Sequence, residues 1–173
     1  VAVFLLAFSV AMGPHVRAQG AVACDGNGDF VDTPLVLNAA RTSSLTVECW
    51  GKLDTTTKNW QSIVDAYGGL GDARNFQLWI DDQRRVRIYH NSEGHGGSGN
   101  LSAGQWYHLA YSYTANAANG YLYIDGTLTA TISVPTGTPA DVTVDIGRRT
   151  DGAPDSYCDG MVDEIRVWDV GRS

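Results

Sequence analysis

The sequence predicts an all-β protein, a two-sheet antiparallel β-sandwich of the jelly-roll kind, on three observations. Apolar residues alternate with polar ones over short runs, with almost no recurrence every three or four positions. Gly, Asn, Asp and Pro fall between these runs at regular spacing, as turns between strands do. Of the 19 acidic residues, 16 are Asp, which suits turns and disfavours helices. A chain of 173 residues fits one domain.

The first element, VAVFLLAFSVAM at 1–12, is apolar but too short to span a bilayer. With Gly13-Pro14 and the small residues Val16, Ala18 and Gly20 behind it, it reads as the h-region of a secretory signal cleaved after Ala18 or Gly20. The expected division is therefore a signal at 1–20 and a domain at 21–173, in a secreted chain. The initiating Met and basic n-region are missing, so the sequence is expected to start inside its reading frame. Strands are expected at 44–53, 61–67, 75–80, 85–90, 105–114, 120–125, 127–134, 141–148 and 160–168. Asp125-Gly126 between alternating segments predicts a tight hairpin turn. A second turn is expected at Asp81-Asp82-Gln83-Arg84. NSEGHGGSGN at 91–100 reads as a mobile hairpin loop; it lacks the strand–helix frame and Lys-Ser/Thr ending of a phosphate loop.

The net charge of −7 and the absence of a basic run argue against nucleic acid and against anionic membranes, and no second apolar segment suggests membrane insertion. Three cysteines in a secreted chain imply one disulfide and one thiol. Cys49 alternates with Leu45 and Val47 as a small core residue, which leaves Cys24 and Cys158 as the better pair. Their loop of about 134 residues corresponds to roughly 5 kcal/mol in the chain-entropy picture, as an upper figure.

Catalytic patterns are scarce. Asp163 and Glu164 are adjacent on an expected strand and would face opposite ways. Glu48 has only Thr46 and Trp50 as same-face neighbours, and no Glu-x-Asp-x-x-Glu arrangement occurs. No nucleophile elbow or zinc-type histidine spacing is present; His15 lies in the signal, His90 and His95 flank the glycine-rich loop, and His108 sits in a strand. The chain reads as non-enzymatic.

An ordered series carries a resemblance: DGNGDFV at 25–31, LTVECW at 45–50, GQWYHLA at 104–110, LYIDG at 122–126, DIGR at 145–148 and DGMVDEIRVW at 159–168. Together they resemble the laminin-G-like branch of the concanavalin A-like lectin/glucanase family, near the pentraxins, over about 22–173. The resemblance implies a concanavalin A-like jelly roll whose first and last strands lie side by side, which would bring Cys24 near Cys158. It implies a non-catalytic module of a longer secreted or surface protein, recognising a glycan or an extracellular protein. It also implies a structural calcium in many members. Asp25, Asn27 and Asp29 imitate an EF-hand start, but Phe30 and Val36 stand where that loop needs Gly and Glu. A different calcium site from Asp25, Asp29 and Asp163 is expected; the alternative is that Asp and Gly merely shape the turn. For the ligand, alternation puts Phe76, Leu78, Ile80, Val86 and Ile88 inward. Gln77, Trp79, Arg85, Arg87 and Tyr89 then share the other face. Gln77, Trp79, Arg87 and Tyr89 are the expected glycan site, because sugars favour aromatic faces beside polar groups. Trp50, Trp106 and Trp168 are expected in core or edge packing. An adhesion module and a polysaccharide hydrolase are the alternatives.

Overall fold

The computed structural model describes residues 4–5, 20–37, 44–54, 58, 60–68, 73–91, 93–134, 141–150 and 156–172. Its thirteen strands are β1 (Phe4–Leu5), β2 (Val22–Asp25), β3 (Val31–Leu37), β4 (Leu45–Leu53), β5 (Gln61–Gly68), β6 (Ala73–Ile80) and β7 (Val86–His90), followed by β8 (Glu93–Ser98), β9 (Trp106–Tyr113), β10 (Asn119–Ile124), β11 (Thr127–Ser133), β12 (Val142–Ile146) and β13 (Asp159–Trp168). They form two antiparallel sheets, the concanavalin A-like jelly roll expected. One has seven strands in the order β1-β13-β4-β9-β10-β11, with β2 also on β13; the other has six, β3-β12-β5-β6-β7-β8.

Alternation decides the core. Leu45, Val47, Cys49, Leu109 and Leu122 from the first sheet meet Ile63, Phe76, Leu78, Ile80 and Ile88 from the second, all buried. One polar pair is sealed inside: His90 Nδ1 and the Tyr111 hydroxyl lie 2.9 Å apart, so both polar tips are satisfied. Gly120 makes room for that hydroxyl, which a Cβ there would strike. The Asp125-Gly126 turn has φ of 50° and 74°, the doubly positive pattern of a tight hairpin. At the 81–84 turn, Arg84 N donates to Asp81 O at 2.9 Å.

Several expectations change. Residues 93–98 form a strand on the sheet edge rather than a hairpin loop, and Gly97 leaves room for the Arg87 side chain; a Cβ at Gly97 would lie 2.7 Å from Arg87 Cδ. Alternation missed β3 because Pro34 interrupts it, a residue tolerated here on an outermost strand. Phe4 and Leu5 also pair with Val167 and Arg166. At Asp163 and Glu164 the strand is not regular but carries a β-bulge: Glu164 takes φ 48°, and its amide donates to Asp163 Oδ1 at 2.8 Å. Among the described residues no helix is long and apolar enough to cross a membrane.

Candidate functional site

The polar face of the six-stranded sheet is built in rows. Register aligns Asp32, Asp145, Asp65, Gln77 and Tyr89 across β3, β12, β5, β6 and β7. The next row is Ser62, Trp79, Arg87 and Gly97. Side chains directly opposite in such rows lie within reach of one another.

Asp65 anchors the first row. Its carboxylate accepts from Thr150 Oγ1 at 2.7 Å, Thr150 N at 3.1 Å, Tyr67 N at 3.0 Å and Gln77 Nε2 at 2.5 Å. Burial pushes its pKa up to about 6, and those hydrogen bonds oppose the rise. Asp145 beside it is also raised by burial, while Arg148, at 2.6 Å, pulls the other way. Arg148 in turn lies 3.3 Å above the Phe30 ring. Two carboxyls thus face each other on one sheet, and a carboxyl near pKa 6 suits proton transfer. Both are sealed from solvent and hold their own chain.

The second row carries aromatic rings. Trp60 stacks on Trp79 with centroids 4.1 Å apart and planes 8° from parallel, and Trp79 stacks on Tyr89 at 5.9 Å and 11°. Trp60 sits at φ 60°, a conformation costing a non-glycine residue about 1–2 kcal/mol. The stack offsets about 0.5–1.5 kcal/mol of that cost. Downstream of it, Ser62 N donates to Ser156 O at 3.1 Å, and Asp159 N donates to Gln61 Oε1 at 3.0 Å. The start of β5 is therefore pinned to the 156–159 segment. Beside the rings, Arg87 lies 5.7 Å from the Trp79 centroid and 3.9 Å from Asp81. Burial raises the Asp81 carboxyl, but the hydrogen bonds from Arg85 and Gln83 outweigh it and leave Asp81 below its ordinary value. Trp79 Nε1 and Arg87 Nε are buried donors without a hydrogen-bond partner among the described residues.

The structure brings Gln77, Trp79, Arg87 and Tyr89 together as alternation requires, but their exposure differs from expectation. Gln77, Trp79 and Tyr89 are only 2%, 3% and 4% exposed. Trp60 covers Trp79, and Gln77 is tied to Asp65. The ring that reaches solvent is Trp60, 37% exposed.

The expected calcium residues do not converge. Asp25 lies across from Asp159, whereas Asp163 pairs with Trp50 four residues further along β13. Asp25 Oδ1 accepts from Asn27 N at 2.8 Å and Asp29 Oδ2 from Asp25 N at 3.2 Å, so both carboxylates shape the turn. The Lys58 ammonium donates to Gly26 O, placing a cation there already. Among the described residues no group of three or more His, Cys, Asp or Glu could hold a metal. The three residues do not fit a common ion. Cys24 and Cys158 are buried on adjoining segments, with Cys24 opposite Gly160 on β13, and they are unbonded in this structure.

Glu48 is less isolated than its sequence suggests. On the outer face of the seven-stranded sheet it lies 3.7 Å from Arg166, 3.6 Å from Arg172 and 3.9 Å from His108. Trp50 belongs to that face, 38% exposed and 5.4 Å from His108, rather than to the core.

Sequence reasoning missed Trp60, Asp65, Asp145, Arg148 and Thr150. Two of them left a signal: an Asp flanked by apolar residues inside QSIVDAY and VTVDIG marks a carboxyl facing an enclosed polar layer. Trp60 left none, because its position depends on a positive φ.

The family model described as the concanavalin A-like lectin/glucanases superfamily, in its laminin-G form, matches residues 25–173. No curated protein matches the chain. Among solved structures, a heptameric SAP-like pentraxin from Limulus polyphemus is similar with TM-score 0.70 at 18% identity, over 92% of this chain and 80% of that one. Trypanosoma rangeli sialidase is similar with TM-score 0.65 at 21% identity, over 86% of this chain; the match spans 25% of the sialidase. A candidate carbohydrate-binding protein from Bacteroides ovatus matches with TM-score 0.62 at 20% identity, over 88% of this chain and 45% of that one. At such identities these likenesses concern the fold.

Proposed function

The chain belongs to the concanavalin A-like lectin/glucanases superfamily, and from that premise we propose that it is a non-catalytic carbohydrate-recognition module acting outside the cell. The sugar stacks on Trp60. One observation carries this reading: a three-ring stack ends in a solvent-facing tryptophan, Trp60. A pyranose offers the complement of that exposed ring, an apolar C–H face. The Trp79–Tyr89 stack holds Trp60 still, so little ordering cost remains on binding. The non-catalytic part is supported by Asp65 and Asp145, whose oxygens are buried and taken by Thr150, Tyr67, Gln77 and Arg148.

The test is a glycan array, followed by titration of the best glycan against the chain and its Trp60→Ala variant. Affinity is expected to fall about tenfold, which corresponds to roughly 1.4 kcal/mol, while Tm drops by only about 2–6 °C for the lost stack on Trp79. Binding should persist in chelator, since the site consists of rings and an arginine. No retained glycan, or equal affinity in the variant, would overturn the reading.

A further inference from the structure

The first and last strands of the domain meet through two cysteines. Among the described residues β2 is joined to its sheet along β13 alone, with Asp25, Cys24, Ala23 and Val22 opposite Asp159, Gly160, Met161 and Val162. So short an edge strand is weakly held. Cys158 stands one residue before β13, its amide donating to Gly147 O at 2.8 Å. Cys24 Sγ reaches the same spot: a Cβ on Gly147 would lie 3.0 Å from it, and Gly147, at φ 84°, has none. Each thiol also shifts the titration of the other, Cys24 down and Cys158 up. Cys49 lies apart from them in function, fully buried on β4, its thiol pushed up to about 12 by burial and then by Glu48.

We propose that Cys24 and Cys158 close into an intramolecular disulfide through exchange with a small-molecule disulfide, clasping β2 to the start of β13 while Cys49 stays a thiol. Cys24 attacks first. It keeps 4% exposure where Cys158 and Cys49 have none, and the Cys158 hydrogen bond favours its thiolate. The Cys24 thiolate attacks one oxidant sulfur, the oxidant's S–S bond breaks, and one thiolate leaves to take up a proton. Cys158 then loses its proton and attacks Cys24 Sγ, which expels the second oxidant thiolate. Two protein thiols are oxidised and one disulfide is reduced to two thiols, the protons passing to the leaving groups. Cys158 also lies between Ser156 and Asp159, whose backbone groups hold Ser62 and Gln61. The clasp therefore braces the segment against which β5 begins.

The experiment holds the folded chain in oxidised glutathione, then counts thiols after denaturation and maps peptides without reduction. Thiols should fall from three to one, with Cys24 joined to Cys158. Tm should rise by about 10 °C, reversed by reductant, as expected for a cross-link closing so long a loop. The C24S/C158S double variant should show no redox-dependent Tm. Three persistent thiols, a bridge containing Cys49, an intermolecular bridge, or an unchanged Tm on oxidation would each overturn the clasp. None of these readouts involves a glycan, so the clasp and the glycan reading can fail separately.

Discussion

The two sheets present outer faces of opposite character, although both follow the same alternation. On the seven-stranded sheet, Trp50, His108 and Glu48 stand half-buried or exposed, and Glu48 is balanced by Arg166 and Arg172 in high dielectric. On the six-stranded sheet, Asp65, Gln77, Trp79 and Tyr89 occupy equivalent outward positions yet are enclosed. Period-two patterning therefore decides which face a side chain takes, and cover supplied from elsewhere decides whether that face meets water. Trp60 and the Thr150 segment are the described parts of that cover.

The difference should appear first in truncations. Trp79→Ala removes the middle of a buried ring stack and is expected to cost about 3–5 kcal/mol, read by denaturant unfolding. If it costs no more than Trp50→Ala, the two faces are not distinct. Next comes pH. Asp65 is raised from 3.8 unfolded to about 6 folded, so its contribution is fully present below pH 3.8 and is lost as pH rises through about 6. The difference amounts to about 3 kcal/mol by order of magnitude. Asp65→Asn should flatten the stability profile across that window relative to the parent chain; an unchanged slope would mean that the carboxyl is hydrated. The smallest effect is expected on the open face, where Trp50→Ala should change stability by less than about 1 kcal/mol.

Much of the fold was legible locally. The Asp125-Gly126 turn needs only two residues able to take positive φ, and the strands from 44 to 53 and 105 to 114 show their inward rows as plain alternation. The pairs Gln77–Tyr89 and Trp79–Arg87 followed from the same period and one turn length. Other features were hidden for stated reasons. Pro34 masked an outermost strand, and glycine masked β8, whose backbone pairing needs no side-chain pattern. The bulge at Glu164 shifted the register that sequence alone carried straight through β13.

The sequence by itself determined most of the strands, their inward faces and the family, because these depend on short-range periodicity and turn chemistry. Only the tertiary structure decided that Trp60 caps Trp79, that Asp159 rather than Asp163 meets Asp25, and that Asp65 is enclosed beneath Thr150. Those outcomes rest on a left-handed backbone, strand pairing and loop contacts between residues as far as 134 positions apart. Such relations leave no period in the chain, since only packing in three dimensions brings the partners together.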